Sequence, residues 1–403
     1  MTERAVVVIG AGQAGLAVSH ELTAASVQHV VLERGRVAET WRGRWDSFCL
    51  VTPNWTVRLP EGAYAGGDPD GFMPRDAIVS HLESYARSFG APVREHVTVT
   101  ALRPTEDGLT IVTSEGELRA GAVVVATGAY QKPKRPPAAD TVPRAMYVID
   151  ADAYRNEEAL PPGKVLIVGS GQSGCQIAEE LHQAGRDVFL ACGRAPWMPR
   201  RLAGRDFVSW LFDGGWFELS SPETRLISNP QASGHDGGHD LNYRTLQRMG
   251  VNLVGRFLGA DSDRFRFAND LADSVAFGDV RYADITRFLR TSCEARGLAA
   301  PELPEPVAFD SPTRESVDVA GFGALIFTSG FRPDYRSWIE ADEAFDERGF
   351  PVTADGRSTV VPGLYFCGVP FLRKRKSSLL MGVGEDAAII ARSIAEMRDA
   401  VVA

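Results

Sequence analysis

The hydrophobic pattern along the chain repeats one arrangement twice. A short apolar run at Val6–Ile9 breaks into the glycine-rich residues 10–15 and continues as a helix-like stretch to about residue 25. The apolar run 165–168 leads in the same way into the glycine-rich residues 169–174. Short β-type runs that alternate with helical periodicity are typical of βαβ units and parallel sheets. The pattern therefore predicts an α/β fold built on two Rossmann-like domains.

Both glycine-rich turns have the spacing G-x-G-x-x-G. In this motif the first glycine permits a tight turn, the second lets a pyrophosphate approach the backbone, and the third packs helix on strand. The phosphates then rest on the helix N-terminus, where unpaired N–H groups favour an anion. Two such motifs predict two bound dinucleotides, namely a flavin and the nicotinamide that reduces it. The predicted contacts are Gly10, Gly12, Gln13, Ala14 and Gly15 in the first motif and Gly169, Gly171, Gln172, Ser173 and Gly174 in the second.

The residues after the second strand of each unit distinguish the two nucleotides. In the first unit this strand ends in Glu33 and Arg34, and an acid here binds ribose hydroxyls and repels a 2′-phosphate. In the second unit the strand Val188–Ala191 leads to Gly193 and Arg194. A cation at this point suits a 2′-phosphate. The sequence therefore predicts FAD at the first site and NADPH at the second, with a surface acid at a strand end as the alternative for Glu33.

Further elements complete the predicted domains. Runs 97–102, 110–113 and 123–126 predict an antiparallel meander whose last strand ends in Thr127 and Gly128, two further cofactor contacts. Later predicted elements are a helix around 282–296, a strand 324–327 that returns the chain to the first domain, a buried strand 363–368 and a closing helix 385–397. Gly368 and Leu380 are predicted cofactor contacts in this region. The predicted FAD-binding domain comprises 1–140 and 321–403, and the inserted NADPH-binding domain comprises 141–320 with an insertion around 195–310.

Composition limits the classes of function. The chain has 403 residues, 44% of them hydrophobic and 24% charged, as expected of a soluble two-domain protein. Its net charge of −9 argues against non-specific nucleic-acid binding. Apolar runs are too short for a membrane span, and the first strand begins too early for a signal peptide, so a cytoplasmic protein is expected. Five dispersed cysteines without C-x-x-C spacing argue against a dithiol reductase.

The irregular stretch 196–242 follows the NADPH unit directly and contains several large aromatic residues. Long irregular segments in compact domains are usually functional. We therefore expect it to cover the flavin and nicotinamide, with His239, Asp240 or Asn242 contacting the substrate. A peripheral or dimer-forming insertion is the alternative. The histidines and carboxylates of residues 233–240 are not expected to bind a metal, because glycine pairs give no rigid frame, and a loop packed by Asx turns also explains them.

Taken together, these motifs resemble those of flavin-containing monooxygenases of the two-dinucleotide class, including the YUCCA-like branch. The resemblance rests on residues 10–15, 126–128, 169–174, 328–333 and 363–368, in this order. It implies that NADPH reduces FAD and that O₂ then oxygenates a small organic substrate through a flavin hydroperoxide. A dehydrogenase or oxidase without oxygen insertion is a second interpretation of the same scaffold, and a flavin-binding sensor without turnover is a third.

The segment after the first unit supplies candidates near the flavin. Trp41, Arg42 and Trp45 are predicted cofactor contacts, although core or interdomain packing explains the tryptophans equally well. The resemblance implies a flavin-facing role for Asn54, whose alternative is a turn residue after Pro53.

In the segment between the two βαβ units, the chain departs from one motif of the family that it resembles. The motif reads F-x-G-x-x-x-H-x-x-x followed by Phe or Tyr, and alignment on Tyr154 places Asp150 at the position of the histidine. A carboxylate there would disfavour an anionic oxygen intermediate, so Asp150 is a predicted catalytic residue.

Overall fold

The computed structural model describes residues 5–220, 229–261 and 263–402. Its helices are α1 (Gln13–Ala24), α2 (Glu39–Arg42), α3 (Arg75–Ser88), α4 (Gln172–Gln183), α5 (Phe207–Asp213), α6 (Tyr243–Met249), α7 (Leu271–Glu294) and α8 (Val383–Val402). The strands up to the second glycine motif are β1 (Val6–Ile9), β2 (His29–Leu32), β3 (Arg58–Leu59), β4 (Gly62–Ala63), β5 (Val93–Arg94), β6 (Val99–Thr105), β7 (Gly108–Thr113), β8 (Gly116–Ala120), β9 (Ala122–Val125), β10 (Lys132–Pro133), β11 (Tyr147–Asp150) and β12 (Lys164–Val168). The later strands are β13 (Val188–Ala191), β14 (Arg201–Leu202), β15 (Arg205–Asp206), β16 (Asn252–Val254), β17 (Phe257–Asp261), β18 (Arg264–Phe267), β19 (Ser316–Asp318), β20 (Phe322–Phe327), β21 (Phe331–Arg332), β22 (Thr353–Ala354), β23 (Arg357–Ser358) and β24 (Leu364–Phe366).

The first domain is built on a seven-stranded sheet in the order β22-β23-β24-β9-β1-β2-β5. Strands β24, β9, β1, β2 and β5 are parallel, and the β22–β23 hairpin extends the sheet through the antiparallel pairing of β23 with β24. Val6 and Val8 of β1 pack with α1, α3 and α8 on one face. Val7 and Ile9 pack with the β6–β7–β8 meander on the other. Burial on both faces explains why β1 is a continuous apolar run.

The second domain repeats this design. Its five-stranded sheet has the order β11-β20-β12-β13-β16, and every pairing in it is parallel. Val165 and Ile167 of β12 pack against α4 and α6, whereas Leu166 and Val168 pack against the β17–β18–β19 meander. Each domain thus has a parallel sheet with helices on one face and a three-stranded meander on the other.

Two element assignments from the sequence were wrong. Run 123–126 is not the last meander strand, because β9 lies in the parallel first sheet and the meander ends with β8. Run 324–327 does not return the chain to the first domain, because β20 pairs with β11 and β12 of the second sheet. A short apolar run carries no information about its partner strand, which explains both errors. Strand β16 lies in the range predicted to contain the insertion, and it pairs with β13 of the second sheet.

The segment after β13 forms a separate hydrophobic cluster with α7. Trp197 stacks on Tyr282 of this helix with ring centroids 4.4 Å apart. The cluster also includes Trp55 and Met381 of the first domain, so the segment bridges the two domains. Across the described ranges, no helix has both the length and the apolar character needed to cross a membrane.

Candidate functional site

The three glycines of the first motif have three different structural roles. Gly10 has φ +103°, and a Cβ there would lie 2.9 Å from the carbonyl oxygen of Ala126. A Cβ on Gly15 would lie 1.8 Å from the carbonyl oxygen of Gly10, so this glycine lets α1 approach β1. A Cβ on Gly12 would meet no protein atom within 4 Å. The space beside Gly12 is therefore open at the α1 N-terminus, where a pyrophosphate fits.

The predicted FAD contacts gather at the carboxyl ends of the first sheet. Gly10, Glu33, Thr127 and Gly368 follow β1, β2, β9 and β24 respectively, at the edge where ligands bind in such sheets. Glu33 is 7% exposed and accepts hydrogen bonds from the N–H groups of Ala11 (2.8 Å) and Gly35 (2.9 Å). A carboxylate has further lone pairs, so these two bonds leave acceptor capacity for ribose hydroxyls.

Other residues predicted to contact FAD form hydrogen bonds within the first domain. Trp41 Nε1 donates to Gln13 Oε1 at 2.9 Å, which ties the aromatic segment to the first motif. The carbonyl of Gly128 accepts a hydrogen bond from the Tyr335 hydroxyl at 2.7 Å. Leu380 is buried, and its carbonyl accepts from the Arg58 N–H at 3.1 Å.

Two predicted residues of the aromatic segment contact other parts of the protein. Arg42 pairs with Glu83 of α3, whereas the predicted contact Arg34 is exposed just after β2. Trp45 is 3% exposed and packs into the hydrophobic core around β12 and α4 of the second domain. The indole of Trp45 therefore anchors one domain to the other, as the packing alternative predicted.

Asn54 holds a loop together. Its side chain donates to the carbonyl of Asp68 at 2.9 Å and accepts from the N–H of Met73 at 2.7 Å, and the residue is 4% exposed. These contacts match the structural alternative, because they engage both ends of the amide. A flavin-facing role for Asn54 stays a prediction.

The second glycine motif repeats the geometry of the first. Gly169 has φ +112°, and a Cβ on Gly174 would lie 2.0 Å from the carbonyl oxygen of Gly169. Gly171 caps α4, and Gln172 and Ser173 form its first turn. The same backbone cradle is therefore present twice, once at each predicted nucleotide.

A buried ring of hydrogen bonds shapes the loop that follows β13. The hydroxyl of Ser170 accepts from the Gly193 N–H at 2.8 Å and lies 2.6 Å from the Tyr243 hydroxyl. That hydroxyl donates to the Gly193 carbonyl at 2.5 Å. Both backbone groups of Gly193 are therefore held, and the adjacent Arg194 is exposed. Ser170 lies in the second glycine-rich turn but was not among the predicted contacts, and no sequence signal marked Tyr243.

Asp150 lies at the carboxyl end of β11, at the same edge of the second sheet. Its two oxygens accept from Arg135 Nε at 2.9 Å and from Nη2 at 2.8 Å. Arg135 also lies over the ring of Phe327, with Cζ 5.1 Å from the centroid. The bidentate pair neutralises the carboxylate on which the predicted catalytic effect depended, and that effect remains a prediction.

The three residues that were predicted to contact the substrate each form hydrogen bonds within the protein. Asn242 caps α6 by accepting from the N–H groups of Arg244 (2.9 Å) and Thr245 (3.1 Å). Asp240 accepts from the N–H of Arg200 at 2.6 Å. His239 Nε2 lies 2.7 Å from Glu179 Oε1 of α4, and this contact raises the pKa of His239 while partial burial lowers it. Asp240 and Asn242 thus each use one side-chain oxygen for backbone donors, and a contact of these three residues with the substrate stays a prediction.

A buried ion pair that the sequence did not indicate connects the domains. Arg200 Nη2 lies 2.5 Å from Asp206 Oδ2, and both side chains are 1% exposed. Arg200 also donates to the carbonyl of Val51 at 2.9 Å and lies over the ring of Phe72 in the first domain. Desolvation raises the pKa of Asp206 and lowers that of Arg200, against their mutual attraction. Residues 51, 72 and 200 are far apart in the chain, so no local sequence pattern indicated that they meet.

All five cysteines are free thiols. Burial raises the pKa of Cys175, Cys192 and Cys367 and raises that of Cys49 to about 11. Thiols with raised pKa values are poor nucleophiles, because the thiolate is the reactive form.

Comparison with known proteins agrees with this arrangement. The pyridine nucleotide-disulphide oxidoreductase family matches residues 7–209. The uncharacterized oxidoreductase CzcO-like of Geobacillus kaustophilus is 30% identical over 96% of this chain and 97% of its own. Indole-3-pyruvate monooxygenase YUCCA1 of Oryza sativa is 26% identical over 96% of this chain and 90% of its own. A flavin-containing monooxygenase from Stenotrophomonas maltophilia superposes with a TM-score of 0.66 at 18% identity and covers all of both chains.

The matched family region contains both glycine cradles, which fit an FAD and a nicotinamide dinucleotide. The resemblance to flavin-containing monooxygenases is confirmed by the relatives that cover nearly the whole chain. The chain belongs to the pyridine nucleotide-disulphide oxidoreductase family, as a flavin-dependent oxidoreductase whose family membership implies FAD and NADPH as cofactors.

Proposed function

We propose that this protein is an NADPH-dependent flavoprotein monooxygenase that inserts one oxygen atom of O₂ into a small organic substrate. The observation that carries the proposal is the combination of two dinucleotide cradles with five unpaired thiols. A disulphide reductase passes electrons from the flavin to a cysteine pair. None of the five cysteines is bonded to another, and burial raises the pKa of four of them, which disfavours the reactive thiolate; the reduced cofactor therefore needs another acceptor, for which O₂ is suited.

Different residues of the chain would bind the two nucleotides. Gly12 and the α1 N-terminus would hold the FAD pyrophosphate, and Glu33 its ribose. Gly171 and the α4 N-terminus would hold the NADPH pyrophosphate, and Arg194 its 2′-phosphate. When bound, FAD accepts a hydride from NADPH and activates O₂. The interdomain packing of Trp45 would help to fix the position of the two nucleotide sites relative to each other.

A cleft beside the bridging cluster is the candidate substrate site. This open cleft has about 770 Å³ of empty space, including the solvent at its mouth, and is lined in part by Trp55, Arg58, Arg205 and Phe212 together with three aspartates. The Arg58 guanidinium carbon lies 5.2 Å from the Trp55 ring centroid and 4.6 Å from that of Phe212. Aromatic rings beside a cation suit a substrate with a flat apolar body and a carboxylate. Since the plant relatives are named indole-3-pyruvate monooxygenases, aromatic 2-oxo acids are the first substrates to test.

Oxygen-coupling measurements test this function. Consumption of NADPH and O₂ is followed with aromatic 2-oxo acids, amines, sulfides and ketones, together with the peroxide released. A monooxygenase consumes NADPH and O₂ in equal amounts and releases little peroxide when the right substrate is present. Peroxide equal to NADPH with every compound would favour an oxidase, and NADPH consumption only with an added electron acceptor would favour a dehydrogenase. No NADPH consumption under any condition would favour a flavin-binding sensor.

A further inference from the structure

One turn of α7 brings a second arginine to the loop that follows β13. Arg194 Cζ lies 5.8 Å from the ring centroid of Phe277, and Arg281 Cζ lies 5.4 Å from the same centroid. Gly278 allows the close approach, since a Cβ there would lie 3.0 Å from the carbonyl oxygen of Ala195. Two arginines far apart in sequence therefore share one aromatic ring.

The charges around this ring are not balanced. Arg281 Nη1 lies 3.3 Å from Asp284 Oδ2, but Arg287 also contacts Asp284, with Nη1 3.1 Å from Oδ1. One carboxylate thus serves two arginines. The Nε–H of Arg281 is buried without a hydrogen-bond acceptor, and Arg194 has no ion pair with any residue in the described ranges. Two cations beside one ring repel each other, and an anion that contacts both would offset this repulsion.

We propose that Arg281 is a second ligand of the NADPH 2′-phosphate, which binds between the guanidinium groups of Arg194 and Arg281, while Phe277 positions both. The inference rests on the proposed coenzyme. A phosphate monoester carries close to two negative charges at neutral pH and offers three acceptor oxygens, which matches two guanidinium groups better than one. An element outside the βαβ unit therefore contributes to coenzyme selection.

Binding of nucleotide fragments tests the role of Arg281 without turnover. Calorimetry of the FAD-loaded protein is carried out with adenosine 2′,5′-bisphosphate and with 5′-AMP, which lacks the 2′-phosphate. Arg281→Gln is expected to weaken the bisphosphate about 10-fold or more and to leave 5′-AMP unchanged, because one charge-assisted contact is lost. Arg287→Gln is the matched control, since Arg287 shares Asp284 but has no contact with Phe277 recorded among the described residues. The control is expected to bind both fragments as the wild type does.

The outcomes separate this inference from the proposed function. A wild type that prefers the bisphosphate, with Arg281→Gln keeping that preference, overturns the role of Arg281 alone. Equal weakening of both fragments by Arg281→Gln also overturns it, because a phosphate ligand affects only the bisphosphate. A wild type that binds both fragments equally contradicts NADPH as the coenzyme and the inference with it.

Discussion

At the scale of single residues, Gly12 and Gly15 show how one motif combines a binding role and a packing role. The space next to Gly12 is open, as a bound pyrophosphate would require, whereas the space next to Gly15 is filled by the Gly10 carbonyl. Both positions could be predicted from the sequence, because the motif dictates backbone geometry. The contacts of Asp240 and Asn242 could not, because a polar residue type does not reveal whether its acceptor serves a ligand or a helix N-terminus.

Substitutions at these two glycines are expected to have different consequences. Gly12→Val should give a protein that folds but purifies without FAD, because the side chain occupies only ligand space. Gly15→Val should lose the native fold, since its Cβ would lie 1.8 Å from a backbone oxygen. Flavin absorbance per protein and the urea midpoints of the apoproteins measure both effects. Stoichiometric FAD in Gly12→Val, or an unchanged midpoint in Gly15→Val, would contradict the assignment.

Arg194 should determine the preference for NADPH over NADH. The side chain is exposed at the carboxyl end of β13, where it is available to a 2′-phosphate. Arg194→Ala should raise the KM for NADPH about 10- to 150-fold, which corresponds to roughly 1.5–3 kcal/mol, and leave NADH nearly unchanged. Initial rates with both coenzymes provide the measurement and its internal control. Equal losses with NADPH and NADH would assign Arg194 a structural role.

At the scale of elements, polar side chains tie the segment after β13 to its neighbours. Arg200 and Asp206 connect this segment to the first domain, and His239 connects it to α4. From its aromatic content, the sequence predicted that the segment covers the flavin and nicotinamide, and this stays a prediction. It could not predict these ties, because each joins residues distant in the chain.

Removing one partner of the buried Arg200–Asp206 pair should strongly lower the free energy of unfolding. Asp206→Asn keeps an acceptor for the α5 N-terminus, where Asp206 now accepts from the Val208 N–H at 2.8 Å, but leaves the Arg200 charge buried without its partner. The free energy of unfolding should fall by about 3–5 kcal/mol. The double variant Arg200→Met with Asp206→Asn should recover part of this loss in urea unfolding. A double variant less stable than Asp206→Asn would show that the uncompensated charge is not the cause.

The contact between His239 and Glu179 should make stability depend on pH. The hydrogen bond to Glu179 raises the folded pKa of His239 above 6.5, so its stabilisation is fully present below the unfolded pKa and is lost as pH rises through the folded pKa. Urea unfolding across this range should show a fall that is absent from His239→Gln. His29 is the control, because burial lowers its pKa and His29→Gln should remove a dependence of opposite sign. A fall that persists in His239→Gln would assign it to other groups.

At the scale of the whole molecule, two similar α/β domains face each other across the interface that contains Trp45 and the segment after β13. The sequence predicted the two-domain class correctly, because each glycine motif specifies a local βαβ unit. It misassigned β9 and β20, because strand pairing depends on long-range packing. Relatives that match nearly the whole chain are named either oxidoreductase or indole-3-pyruvate monooxygenase, so the fate of O₂ is the property that tests the proposed function.

Turnover under ¹⁸O₂ tests the central claim most directly. The FAD-loaded protein is supplied with NADPH and the substrate that gives the lowest peroxide release, and the product is analysed by mass spectrometry. A monooxygenase transfers one atom of O₂ to the product, so a mass increase of about 2 Da over the product formed under ¹⁶O₂ is expected. A product that takes its new oxygen from H₂¹⁸O, or complete conversion of O₂ to peroxide without labelled product, would contradict the monooxygenase assignment.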